Sequence, residues 1–144
     1  MGDRIARFDW ARTSIGPIDL WCNAMKSMLG FVLRSPVPIV TLWGDKGVMI
    51  YNDGYRSFAG ARHPALLGTN VLEGWHEVAD FNANVMQKVY REGGTLSYKD
   101  QELTLIRDGT PKLLWTDLEY SPVMDEDGTP IGVVAIVIET TEKV

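Results

Sequence analysis

A chain of 144 residues, 45% apolar and 23% charged, holds enough material for one hydrophobic core without disulfide or metal staples. Its net charge of −5, from 14 basic and 19 acidic residues, repels phosphate backbones, and no basic cluster offsets it, so nucleic acid is not an expected partner. No apolar run approaches the roughly 20 residues of a bilayer span, and Met1 to Arg12 mixes both signs of charge where a secretory signal has a basic start and an apolar stretch; a cytoplasmic location without membrane insertion is expected.

In chain order, Pro17 is suited to a first helical turn, and Trp21, Met25, Met28, Leu29 and Val32 then recur at helical spacing. This predicts an amphipathic helix over 17–34, ended by Ser35-Pro36. Cys22, the only cysteine, falls inside that pattern and reads as a small core residue. Two strands of a tight hairpin follow, 37–43 and 48–51, around Gly44-Asp45-Lys46-Gly47. Asn52 or Asp53 is placed to cap a short helix carrying Tyr55 and Phe58 and stopped by Gly60. Val78, Phe81, Val85 and Val89 predict a longer helix over 76–91, ended by Gly93-Gly94.

The last third reads as three antiparallel strands, 95–106, 112–123 and 131–138, separated by two Asp-Gly turns. The fold class is α+β, with a five-stranded antiparallel sheet. Strands one and five are apolar on both faces and are expected at its centre, one face under helices and the other under the helix 17–34. Three segments follow: a leader over 1–35, a core over 36–140, and the start of a linker to an effector domain over 141–144.

Several short motifs resemble the PAS family in order. Tyr51-Asn52-Asp53-Gly54-Tyr55 with Gly60 is similar to the asparagine-led turn after its second strand, and Tyr120-Ser121-Pro122-Val123, the acidic turn and Gly132-Val133 are similar to its final hairpin. Glu139-Thr140-Thr141-Glu142 resembles its Asp-Ile-Thr-Glu tail, with glutamate and threonine at the first two positions. Phe8-Asp9-Trp10, Gly16-Pro17, Trp21 and Ser35-Pro36 ahead of Trp43-Gly44 resemble the leader of PAS domains that open bacterial sensor histidine kinases. The resemblance implies a sensory or relay domain rather than an enzyme, a pocket under the helices, a homodimer and a downstream effector, a histidine kinase, in the same polypeptide.

Members that form a flavin adduct carry cysteine in a Gly-x-Asn-Cys segment. This chain has Gly68-Thr69-Asn70-Val71, so adduct chemistry is not expected. Haem is not expected either, because His76 falls at the start of the predicted helix rather than within it. Two histidines and one cysteine do not make a tetrahedral metal site, and the Asp125-Glu126-Asp127 turn is too short for a calcium loop; no cofactor or metal is identified. Asp100 and Glu102 are spaced for one strand face, where a solvent-facing pair is favoured over the acid–base work of a small α+β enzyme.

The pocket for an unidentified small ligand is expected from Leu42, Tyr55, Phe58, Trp75, Phe81, Val85, Leu103, Leu118 and Tyr120, with Gln101 as its inward polar group. Asn52, Glu139, Thr140 and Thr141 are the relay candidates. Trp21, Met25, Met28 and Val32 are assigned to the leader helix or a dimer contact, as is Trp115, which is in phase with the wet face of its strand. A ligand-free dimerisation spacer is the alternative reading.

Overall fold

The computed structural model describes residues 1–140. Five strands form one antiparallel sheet: β1 (Ile39–Trp43), β2 (Val48–Tyr51), β3 (Leu96–Arg107), β4 (Thr110–Met124) and β5 (Pro130–Thr140), in the spatial order β2-β1-β5-β4-β3. Strands one and five are interior, as their two-sided apolarity requires, and β4 is interior as well. The β3–β4 turn has Asp108 and Gly109 both at positive φ, 55° and 78°, the backbone that an Asp-Gly pair supplies most readily.

Between β2 and β3 the chain forms α3 (Asp53–Ala59), α4 (Val71–Gly74) and α5 (Ala79–Val85). The helix expected over 76–91 is broken into a 3-10 turn at His76–Val78, α5, and a π-helical turn at Met86–Arg91. Val71, Trp75, Val85, Met86 and Val89 are all buried. No single straight helix turns side chains from Val71 through Val89 toward the same core.

The leader departs most from expectation. A helix α1 (Gly2–Arg7) precedes anything the periodicity indicated, and Pro17 opens only a 3-10 turn, Ile18–Leu20. Trp21 and Cys22 are extended, and α2 runs over Asn23–Arg34. The break allows Trp21 to bury its ring against Trp10, centroids 5.4 Å apart, while its Nε1 donates to the Gly16 carbonyl at 2.9 Å. Cys22 is therefore the exposed residue before α2, not a core residue. Among the described residues no helix is long and apolar enough to cross a membrane.

Met25, Leu29 and Val32 form the buried stripe of α2, and Met28 is half-buried beside them. Since Val40 and Leu42 face the helical side of the sheet, Ile39, Thr41 and Trp43 face the other; all three are buried, with the leader as the cover. Two glycines permit the closest approaches. A Cβ on Gly132 would strike the Trp43 ring, and one on Gly68, at φ 81°, would strike the Phe8 ring.

One buried side chain gathers these layers. Asn52, fully buried, accepts through Oδ1 from Ile39 N–H at 3.1 Å and from Tyr55 N–H at 3.0 Å. Its Nδ2 donates to the carbonyls of Val32 at 3.1 Å, Ser35 at 3.2 Å and Val37 at 2.8 Å. It caps α3, closes the C-terminus of α2 and anchors the entry to β1; the cap is Asn52, not Asp53. Asn52→Ala is expected to cost about 3 kcal/mol or more, because it orphans buried donors and acceptors together. Asn52→Asp is expected to cost at least as much despite its shape, since a carboxylate oxygen would face three carbonyls. Asp53→Ala, at an exposed end, should cost less than about 1 kcal/mol. Urea unfolding of the three variants checks this ranking.

Candidate functional site

Sheet alternation sends Val40, Leu42, Met49, Leu103, Leu105, Leu118, Tyr120 and Val137 toward the helical side. There they meet Tyr55 and Phe58 of α3, Val71 of α4, Trp75 and Val78 of the turns, and Phe81 and Asn82 of α5, leaving a cavity of about 40 Å³. That is room for a few waters and well below the roughly 300–1,000 Å³ of pockets for drug-sized ligands.

Of the expected pocket residues, Leu42, Tyr55, Phe58, Trp75, Phe81, Leu103, Leu118 and Tyr120 come together here. Val85 does not; it lies a turn beyond Phe81 and is fully buried in the core. Gln101 does not either: it is half-buried, and its Nε2 donates to the Glu102 carbonyl at 3.1 Å. A bulge between Tyr98 and Gln101, with Asp100 at φ 47°, shifts the register there. Upstream of it Tyr98 packs on Phe81, centroids 5.2 Å apart.

The inward amide is Asn82, on α5, 8% exposed and without a hydrogen-bond partner among the described residues. Its sole signal in the sequence was a polar residue one position after Phe81 in an apolar helical pattern. Trp75 Nε1 donates to the Tyr55 hydroxyl at 2.9 Å. Burial pushes the Tyr55 and Tyr120 phenols far up, so both remain neutral. Val71 lines the cavity as a valine, with no thiol for an adduct.

Two arginines bind the cavity's aromatic walls from outside. Arg62 lies over the Trp75 ring, 4.2 Å from its centroid, pairs with Glu77, and donates to the carbonyls of Gly74 and, at 3.1 Å, Ile106. Glu77 also accepts from Ile106 N–H at 2.9 Å, which fastens the helical side to the end of β3. Arg107 donates to the Phe58 carbonyl and to Glu139 Oε1, both at 3.1 Å. Thr140 Oγ1 donates to Asp100 Oδ1 at 3.0 Å. Thus Glu139 and Thr140 are both held by β3; Thr141 lies outside the described residues.

The dimer candidates separate. Trp21, Met25 and Val32 are buried in the leader's own packing, whereas Trp115 is half-buried on the outer face of β4. Asp100 is drawn into the bulge, where its N–H donates to Asp117 Oδ1 at 2.9 Å, and Glu102 is exposed on β3. Their even spacing therefore does not make a matched pair. His63 Nδ1 lies 2.7 Å from the Tyr51 hydroxyl, which burial pushes up to about 12; His76 is exposed.

The model of the PAS fold matches residues 33–144, and the chain belongs to the PAS family. Its structure is similar to the PAS domain of BvgS from Bordetella pertussis, with a TM-score of 0.65 and 20% identity over 85% of this chain and 90% of that one. It is also similar to the LOV protein of Rhodobacter sphaeroides, with a TM-score of 0.63 and 16% identity over 83% and 68% of the two chains. A sensory box sensor histidine kinase from Vibrio cholerae gives a TM-score of 0.54 and 22% identity over 85% and 99%. No protein of curated function matches the sequence.

The latch at Glu77 makes stability depend on acid. Burial alone would raise its pKa, but hydrogen bonds from Ile106 N–H and its own N–H, together with Arg62, outweigh burial and hold it below the usual 4.5. A depressed carboxyl contributes stability above its unfolded value that is lost as pH falls through the folded one. His63, lowered mainly by burial, acts in the same direction in the window below 6.5. Wild type is expected to be more stable than Glu77→Gln at pH 7, with the gap closing below pH 4.5. Thermal unfolding from pH 7 to pH 3 on both proteins reads it, and a gap independent of pH would contradict it.

Proposed function

We propose that this PAS domain senses or relays. A small ligand at the cavity biases the packing of α3 and α5 against the sheet, and the change leaves along β5 at Glu139 and Thr140 to an effector in the same polypeptide, a histidine kinase, in the cytoplasm. A ligand shifts such an equilibrium only through its different affinities for two states. The observation that carries the reading is Arg107, which holds a wall residue of the cavity, Phe58, and the end of β5, Glu139, through one guanidinium. The kinase is supported by the leader motifs and by the likeness to the Vibrio cholerae protein. Asn52 contributes as the residue that keeps α3 and β1 in fixed relation.

The second reading, a ligand-free dimerisation spacer, is favoured by apolar surface. Phe31 on α2 is 68% exposed, and Leu113, Trp115 and Ile138 share the outer face of β4 and β5, Leu113 51% and Ile138 43% exposed. The two readings share a homodimer and differ in the ligand.

In the relay, Phe58→Leu is expected to shift the amide resonances of Glu139 and Thr140, and the shift should disappear in an Arg107→Met background; an undiminished shift would contradict it. Native mass spectrometry of freshly purified protein reads ligand and oligomer together. A dimer carrying a small molecule is expected, a bare dimer favours the spacer, and a bare monomer contradicts both.

A further inference from the structure

Resting on the ligand reading above, we propose that the cavity takes an uncharged, planar, single-ring molecule whose amide-like edge exchanges hydrogen bonds with Asn82. The side chains that line the cavity include no acid and no base. The two cations against its walls are each paired on their outer side, Arg62 with Glu77 behind Trp75 and Arg107 with Glu139 beside Phe58. A charged ligand would enter with no counter-charge, and an unpaired buried charge is strongly disfavoured.

The wall selects for flatness and for one polar edge. Tyr55, Phe58, Trp75, Phe81 and Tyr120 present ring faces and edges, which favour offset or edge-to-face contact with another ring. Asn82 brings two donors and an acceptor to this apolar space with no protein partner among the described residues. Tyr120 likewise makes no hydrogen bond through its hydroxyl among those residues. The remaining phenol, Tyr55, already accepts from Trp75. A carboxamide or its ring equivalent, with a donor beside an acceptor, is the complement of the Asn82 amide.

Even a single ring exceeds the cavity, and that names the part that must move. A cavity that admits benzene has a volume on the order of 150 Å³, against about 40 Å³ here. Tyr55, Trp75, Leu118 and Val137 are buried and held by the sheet or by a hydrogen bond. Val78 and Phe81, on the short turn and α5, are half-buried lining residues, as is Leu103 on the edge strand β3. Entry therefore displaces α5 outward from β3, against the Arg62–Glu77 latch.

Benzamide, benzoate and toluene share one ring and differ only at the edge. Titration of each into the protein, followed by the Trp75 indole and Asn82 amide resonances, is expected to show benzamide binding about tenfold or more tightly than either of the others. Asn82→Leu should reduce benzamide to the affinity of toluene. Benzoate or toluene equal to benzamide, or an unchanged affinity in Asn82→Leu, overturns the proposal; if that variant fails to fold, the three probes on wild type decide alone. If none of the three moves the Trp75 resonance, the class is wrong. The ligand reading falls with it only if a metabolite extract also leaves that resonance unmoved.

Discussion

The carboxamide of Asn52 is the constraint on which the rest of the structure depends. Five backbone groups from four segments converge on it: the end of α2, the link after it, the start of β1 and the first turn of α3. The Ile39 and Tyr55 N–H groups reach Asn52 in buried surroundings, where an unpaired donor is costly, while the Val32 carbonyl accepts from Ser35 N–H as well. A hydroxyl reaches too few of them, and an acid carries the wrong polarity for three. Because the group is neutral and has both donors and an acceptor, one side chain sets the helix ends and the strand in a single arrangement.

The cavity depends on that arrangement. Asn52 positions α3, so Tyr55 and Phe58 face the sheet, and their rings then meet Trp75 and the α5 side. The two arginines complete it from outside, each spanning an aromatic wall and a strand end. Placed at the periphery and paired, they add rigidity without bringing charge into the apolar space. A displacement of α5 therefore meets Arg62 and Glu77, and one of α3 meets Arg107 and Glu139.

Much of this was legible in the sequence, and the parts that were not were hidden for separate reasons. The Asp-Gly turns, the two-sided apolarity of β1 and β5 and the stop signals at Ser35-Pro36 and Gly93-Gly94 are local, and so were readable. The asparagine-led turn and the final hairpin carried the family. The break at Trp21 and Cys22 was hidden because a 3-10 turn followed by a helix preserves the apolar spacing of a longer helix. The bulge at Asp100 was hidden because the backbone, not the residue pattern, carries it, and it turned attention to Gln101 when the inward amide is Asn82. Arg62 was invisible for a third reason: its partners at 74, 77 and 106 meet only in the folded chain.

Closure by Asn52 makes the leader, the sheet and the helical side one cooperative unit. Native-state hydrogen exchange of the whole chain tests it most directly. The Ile39 and Tyr55 amides, which donate to Asn52, and the Leu29 and Val32 amides of α2 are predicted to exchange with the same opening free energy, equal to that of global unfolding. If α2 exchanges through a separate, lower-energy opening while Ile39 and Tyr55 remain protected, the leader is an independent layer and Asn52 is not the closing contact.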